Sequence, residues 1–134
     1  MGFIQKFVFF VFLVIGSASQ AEVYEISNIA ELREAASAAA TNEEENTIQL
    51  RSGVYDLSSD GLGPISYDAS HANLLTIEGD SSGSVVLDGN TQSQILRHKT
   101  LGRGPLTLIN LKIINGYNDG DGGAISSKSS LTLT

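Results

Sequence analysis

The sequence predicts an all-β chain of stacked parallel coils, a solenoid with an amphipathic helix capping its first coil, and three observations lead to it. The phrase Leu75-Thr76-Ile77 returns as Leu106-Thr107-Leu108 and Leu131-Thr132-Leu133, each time with Gly, Asn or Asp close by. The starts lie about 31 and about 25 residues apart, the period of a unit that buries its apolar face only by stacking on a neighbour. A second phrase repeats at another register, since Asn73-Leu74-Leu75-Thr76-Ile77-Glu78-Gly79 and Asn110-Leu111-Lys112-Ile113-Ile114-Asn115-Gly116 share Asn-Leu, a later Ile and a closing Gly. Finally, the chain contains no Cys, so a small exported domain would have to take its stability from repetitive packing rather than disulfides.

Residues 1–21 read as a cleavable signal peptide. Lys6 precedes the unbroken apolar run Phe7 to Ile15, and the small-residue stretch Gly16-Ser17-Ala18-Ser19-Gln20-Ala21 follows. The run falls well short of the ~20 residues that a membrane-spanning helix requires. Cleavage is expected after Ala21, leaving one small domain. Eight basic and fifteen acidic residues give the whole chain a net charge of −7. Loss of Lys6 makes the mature chain more acidic still, which disfavours nucleic acid as a partner.

Residues 22–46 read as an N-terminal cap. Val23-Tyr24-Glu25-Ile26 alternates as a short strand does, and Asn28 followed by Glu31 has the spacing of an N-cap with a reciprocal acid. The Ala-rich stripe Ile29, Leu32, Ala36 and Ala39 predicts a helix from Ile29 to Ala40, closed by the acidic segment 41–46. Residues 47–134 then hold short β runs: 47–50, 54–57, 74–78, 85–88, 95–98, 106–114, 124–126 and 131–134. No second helix pattern interrupts them. Asp88-Gly89 is the one good two-residue hairpin turn between strands, so in-register stacking of the Leu-Thr-Leu rows is favoured over hairpins. Asn73, Gly79, Asn90, Asn110, Gly116, Gly122 and Gly123 punctuate the runs and are assigned to turns and to ladders between coils. The final run, Leu131 to Thr134, opens a strand with no polar cap after it and reads as cut off within a repeat.

The mature sequence resembles the amino-terminal region of secreted right-handed parallel β-helix proteins, particularly of the polymorphic outer-membrane protein and autotransporter-passenger type. The resemblance rests on Glu31-Leu32-Arg33-Glu34-Ala35-Ala36, then Thr47-Ile48-Gln49-Leu50-Arg51-Ser52-Gly53-Val54-Tyr55-Asp56-Leu57-Ser58. Three later phrases continue it: Leu75 to Gly79, Val86 to Asn90 and Gly122 to Ile125. The chain departs from the pattern in lacking a Cys before the helix and any Phe after the signal peptide. The resemblance implies a right-handed coil, export, display at or release from the cell surface, and an outer-membrane anchor lying beyond Thr134.

Three groups of residues suggest chemistry. Gly79-Asp80-Ser81-Ser82-Gly83 fits the pattern of a nucleophile elbow with His71 and His98 as bases, but an elbow needs a following helix and here the strand at 85–88 follows. The segment is therefore read as a turn. Asp119 and Asp121, within Asn118-Asp119-Gly120-Asp121-Gly122, are the candidate metal ligands, a fragment of a calcium site short of the usual six or more oxygens. Arg97, His98 and Lys99, with Arg103 nearby, form the clustered basic patch; polysaccharide lyases on the resembled fold use such residues beside calcium, yet a charged strand edge accounts for them equally. No catalytic residue and no cofactor other than calcium is assigned. The favoured expectation is an adhesin or structural passenger that contacts host proteins or glycans, and the alternative is a secreted polysaccharide lyase or glycosidase.

Overall fold

A computed structural model describes residues 21–99, 104–120 and 122–134. The predicted signal peptide lies outside these except for Ala21, which directly precedes the first strand.

Eleven strands and one helix are seen among the described residues: β1 (Glu22–Ile26), α1 (Ile29–Thr41), β2 (Asn46–Leu50), β3 (Gly53–Asp56), β4 (Ile65–Tyr67), β5 (Leu75–Gly79), β6 (Val85–Asp88), β7 (Leu96–His98), β8 (Leu106–Ile109), β9 (Lys112–Ile114), β10 (Ile125–Ser127) and β11 (Leu131–Leu133). They form three sheets with the orders β1-β2-β5-β8-β11, β3-β6-β9 and β10-β7-β4. Every observed pairing is parallel. The fold is thus mostly β, with one helix.

Alternation along each strand sends one set of side chains inward. In the five-stranded sheet Leu75, Leu106 and Leu131 stand in register, as do Ile48, Ile77 and Leu108. The second sheet adds Tyr55, Leu87 and Ile113, and the third Ile65, Leu96 and Ile125. These rows meet in one core in which Ile48, Leu57, Leu75, Ile95 and Leu106 have no solvent exposure. Burial of each such side chain stabilises by about 1.5–3 kcal/mol.

Two strands differ from the sequence reading. The run 106–114 is two strands in different sheets, because Asn110 takes φ +57 and turns the chain between them. Asn bears this left-handed conformation better than other non-glycine residues. Ile65-Ser66-Tyr67 is a strand that the sequence reading leaves as loop; three residues between Pro64 and Asp68 are too few for a periodic signal.

Helix α1 begins as expected at Asn28, whose Oδ1 accepts the Glu31 N–H at 2.9 Å. The return bond runs from the Ser27 N–H to Glu31 Oε1 at 2.8 Å. Leu32, Ala35, Ala36 and Ala39 are buried, and the helix packs chiefly on β4. Arg33 fastens it from the side. Its Nε and Nη2 donate to the two oxygens of Asp60 at 2.7 and 2.9 Å, while Nη1 and Nη2 reach the carbonyls of Pro64 and Gly63. This bidentate pair holds the Asp60 carboxyl below its usual pKa.

Gly79, like Gly89 and Gly122, sits at a tight corner. A Cβ there would overlap the Asn110 carbonyl oxygen and stand 3.0 Å from Val85 atoms. Gly120 has only the Asn118 amide nitrogen near, at 3.6 Å. Gly79→Ala is expected to lower stability in urea unfolding by about 1–3 kcal/mol or more, and Gly120→Ala to fall within ~0.5 kcal/mol of the parent.

Candidate functional site

The five-stranded sheet, the largest of the three, presents an outer face of mainly polar side chains. Parallel register sets its chemistry in rows one strand spacing, about 4.8 Å, apart. One row reads Val23, Thr47, Thr76, Thr107 and Thr132, and the next reads Glu25, Gln49, Glu78 and Ile109. The Leu-Thr-Leu repeat explains the first row: its leucines face the core, so its threonine faces out.

An open groove of about 550 Å³ lies where the second row meets the corner leading to the second sheet. Glu25, Gln49 and Glu78 line it from the sheet, with Arg51, Ser52, Asp80 and Ser81 from the corner. Arg51 Nη2 stands 3.7 Å from Glu25 Oε1, both side chains largely exposed. Asp80 Oδ1 accepts the Ser82 N–H at 2.9 Å and the Ser82 hydroxyl at 2.8 Å. The Ser82 backbone bond first, then the hydroxyl, and then Arg51 lower the Asp80 pKa. With three carboxylates against one guanidinium, the groove repels a polyuronate and accommodates polar neutral or cationic groups.

Glu25 and Glu78 flank Gln49 across this groove, so their strands lie two spacings, roughly 9.6 Å, apart.

The residues singled out from sequence fall in separate places. Ser81 lies in an exposed turn between β5 and β6, with no helix behind it. His71 is turned away from it: Nδ1 accepts the Asn73 N–H at 3.2 Å and Nε2 donates to the Ala39 carbonyl at 3.0 Å. His98 is fully buried on the third sheet. The elbow geometry is therefore absent among the described residues. Strand alternation also divides the basic patch, since Arg97 and Lys99 are exposed while His98 between them faces inward. Arg103 is outside the described residues.

Asp119 is exposed and accepts a short hydrogen bond from the Tyr117 hydroxyl, which raises the Tyr117 pKa. Asp121 lies outside the described residues, and among them no group of three His, Cys, Asp or Glu side chains comes together as a metal site would require. Asn90, Asn110 and Asn115 have positive φ values of 54, 57 and 53. Asn110 Nδ2 donates to the Gly79 and Asp80 carbonyls, and Asn115 Nδ2 to Asp88 Oδ1. Asn73, by contrast, is not among the positive-φ residues. Gly116 packs against Ala124, and Gly122 has φ +68 beside the Ile125 carbonyl, while a Cβ on Gly123 would meet the Gly116 carbonyl oxygen at an ordinary contact distance of 3.6 Å.

The sequence reading missed a polar row inside the third sheet, Tyr67, His98 and Ser127, in register across β4, β7 and β10. Their spacings of 31 and 29 residues are close to those of the Leu-Thr-Leu phrase, and that periodicity was the signal available. No protein-family model, curated protein or solved structure matches the chain.

The exposed Arg51–Glu25 pair positions groove charge more than it stabilises the fold. Arg51→Ala is expected to change unfolding free energy by less than about 1 kcal/mol in a urea titration, with near-native circular dichroism.

Proposed function

We propose that this chain forms a helix-capped, exported right-handed parallel β-helix, an adhesin or structural passenger that works by surface contact. The observation that carries the reading is the rotation of strands among three parallel sheets with matched register, β2, β3 and β4 being followed in the same sheets by β5, β6 and β7. Such an arrangement builds a rigid surface from rows of outward side chains and turns, and recognition by shape requires no catalytic group. The partners proposed are host surface proteins or glycans. The acidic groove makes neutral or cationic partners more favourable than polyanions. Export rests on the sequence of residues 1–21, and calcium has no further support from the described geometry.

A second reading, a secreted glycosidase, has one observation in its favour: Glu25 and Glu78 stand across one groove about two strand spacings apart. Glu25 is largely exposed, so the groove does not exclude water from it. The polyuronate-lyase version of this alternative is disfavoured by the groove's negative charge.

Fractionation of the producing cells, followed by amino-terminal sequencing, tests the first reading. The expected product begins at Glu22 and is found at the cell surface or in the medium. A cytosolic product that keeps residues 1–21 would overturn it. Release of reducing sugar from a neutral polysaccharide, abolished by Glu78→Gln, would replace adhesion with hydrolysis.

A further inference from the structure

We propose that His98 is an acid-sensitive latch: as the neutral imidazole it ties β10 and the turn after it to the third sheet, and on protonation it releases them. The ring is fully buried in the row Tyr67–His98–Ser127. It stacks on Tyr67 with ring centroids 5.8 Å apart and planes inclined by 26°.

Hydrogen bonding fixes the tautomer. Nε2 lies 2.9 Å from the Gly104 carbonyl oxygen, and since a carbonyl only accepts, Nε2 carries the proton. In the neutral ring Nδ1 is then a lone pair, 2.7 Å from Ser127 Oγ, whose hydroxyl donates to it. The Ser129 carbonyl is 3.0 Å from the same Oγ. A serine hydroxyl has one proton, so the neutral histidine draws it away from the 127–129 turn and binds β10 to β7 through side chains as well as backbone.

Protonation keeps the Nδ1–Ser127 bond with its direction reversed, Nδ1 now donating and the Ser127 proton turning to Ser129, so the release comes not from a lost hydrogen bond but from the full charge that protonation places in the core. Among the described residues no opposite charge faces the ring to receive it. The groups that face the ring are the Tyr67 phenol from β4, the Ser127 hydroxyl from β10 and the Gly104 carbonyl. Tyr67 is the one titratable group among them, and burial raises its pKa, so it stays neutral. Asp68, Arg97, Lys99 and Lys128, which flank the row, are exposed. Burial accordingly lowers the His98 pKa, opposed only by the bond to Gly104.

Two features direct the strain to β10. It is the edge strand of the sheet order β10-β7-β4, so it can part from β7 while β7 stays paired with β4. The Tyr67 hydroxyl is buried without a hydrogen-bond partner, and opening would let water reach it, which makes this row easier to open than an apolar one.

The sign follows from linkage. With a folded pKa below the unfolded value of about 6.5, the unfolded or opened state binds more protons in the window between the two. The latch is fully effective above about pH 6.5 and weakens as pH falls from there towards the folded pKa. Carboxylates titrate mostly below this window, and His71 is the one other histidine in the chain.

Nuclear magnetic resonance of the intact chain between about pH 7.5 and about pH 5 gives both the His98 ring titration and amide exchange, corrected for intrinsic rates. The ring midpoint is expected below about 6.5, with protection at Ser126, Ser127 and Lys128 falling by up to about tenfold per pH unit. Leu75 to Gly79 should lose less. His98→Gln should flatten the dependence and His71→Gln should keep it. A ring midpoint at or above about 6.5, pH-independent protection in β10, or the same fall in His98→Gln would overturn the proposal. Should His98→Gln fail to fold, the two measurements on the unaltered chain decide.

Discussion

Two parallel strands cannot be joined by a tight turn, so each strand of this chain must travel on through other elements before its partner arrives. From β2 onward the route is two further strands in two other sheets, and it returns the chain in register with where it started, whereas β1 reaches β2 through α1. The pairing fixes which residues can face inward. A slip of one residue at β5 would send Leu75 and Ile77 out and Thr76 and Glu78 in. Matched rows of leucine and isoleucine therefore do two things at once: they supply the core, and they penalise every wrong register.

The corners must be as regular as the strands, because an error there propagates to the next row. Asn110 illustrates how one residue serves both needs. Its backbone takes the left-handed turn that separates β8 from β9, and its side chain donates to the Gly79 and Asp80 carbonyls one row earlier. Gly79 in turn has no side chain because the Asn110 carbonyl occupies that space. The two positions are coupled across about thirty residues of sequence, and neither is explicable alone.

Much of this was legible from the sequence for a physical reason. Repetition turns a non-local contact into a visible period, so the Leu-Thr-Leu phrases located β5, β8 and β11 and gave their facing. The helix was equally clear, since capping and an alanine stripe are local signals. Arg33 and the Tyr67–His98–Ser127 row were not, although each holds elements together through several polar contacts. Arg33 meets Asp60 27 residues away, and no repeat or local motif announces such a partner. Strand β4 was too short for its alternation to register, and without β4 the inward facing of Tyr67 could not be inferred. The groove shares this limit: Glu25, Gln49 and Glu78 become neighbours only once the strand pairing is known.

The division of labour between the two faces of each strand bears on where function resides. Inward positions are tied to their neighbours in the adjacent rows, so a change at one is felt by two others. Outward positions such as Thr76, Glu78 and Arg97 are held only by the backbone ladder and can vary in chemistry without disturbing register. Chemical variety is therefore most readily carried by outward rows and corners, while the interior is mainly apolar. Asn46, Ser93, Gln94 and His98 are the buried polar side chains among the described residues, and His98 is the titratable one, kept neutral by burial and hydrogen-bonded at both ring nitrogens. An apolar residue there would pack at lower electrostatic cost, but it would leave the Gly104 carbonyl without the donor that the histidine provides.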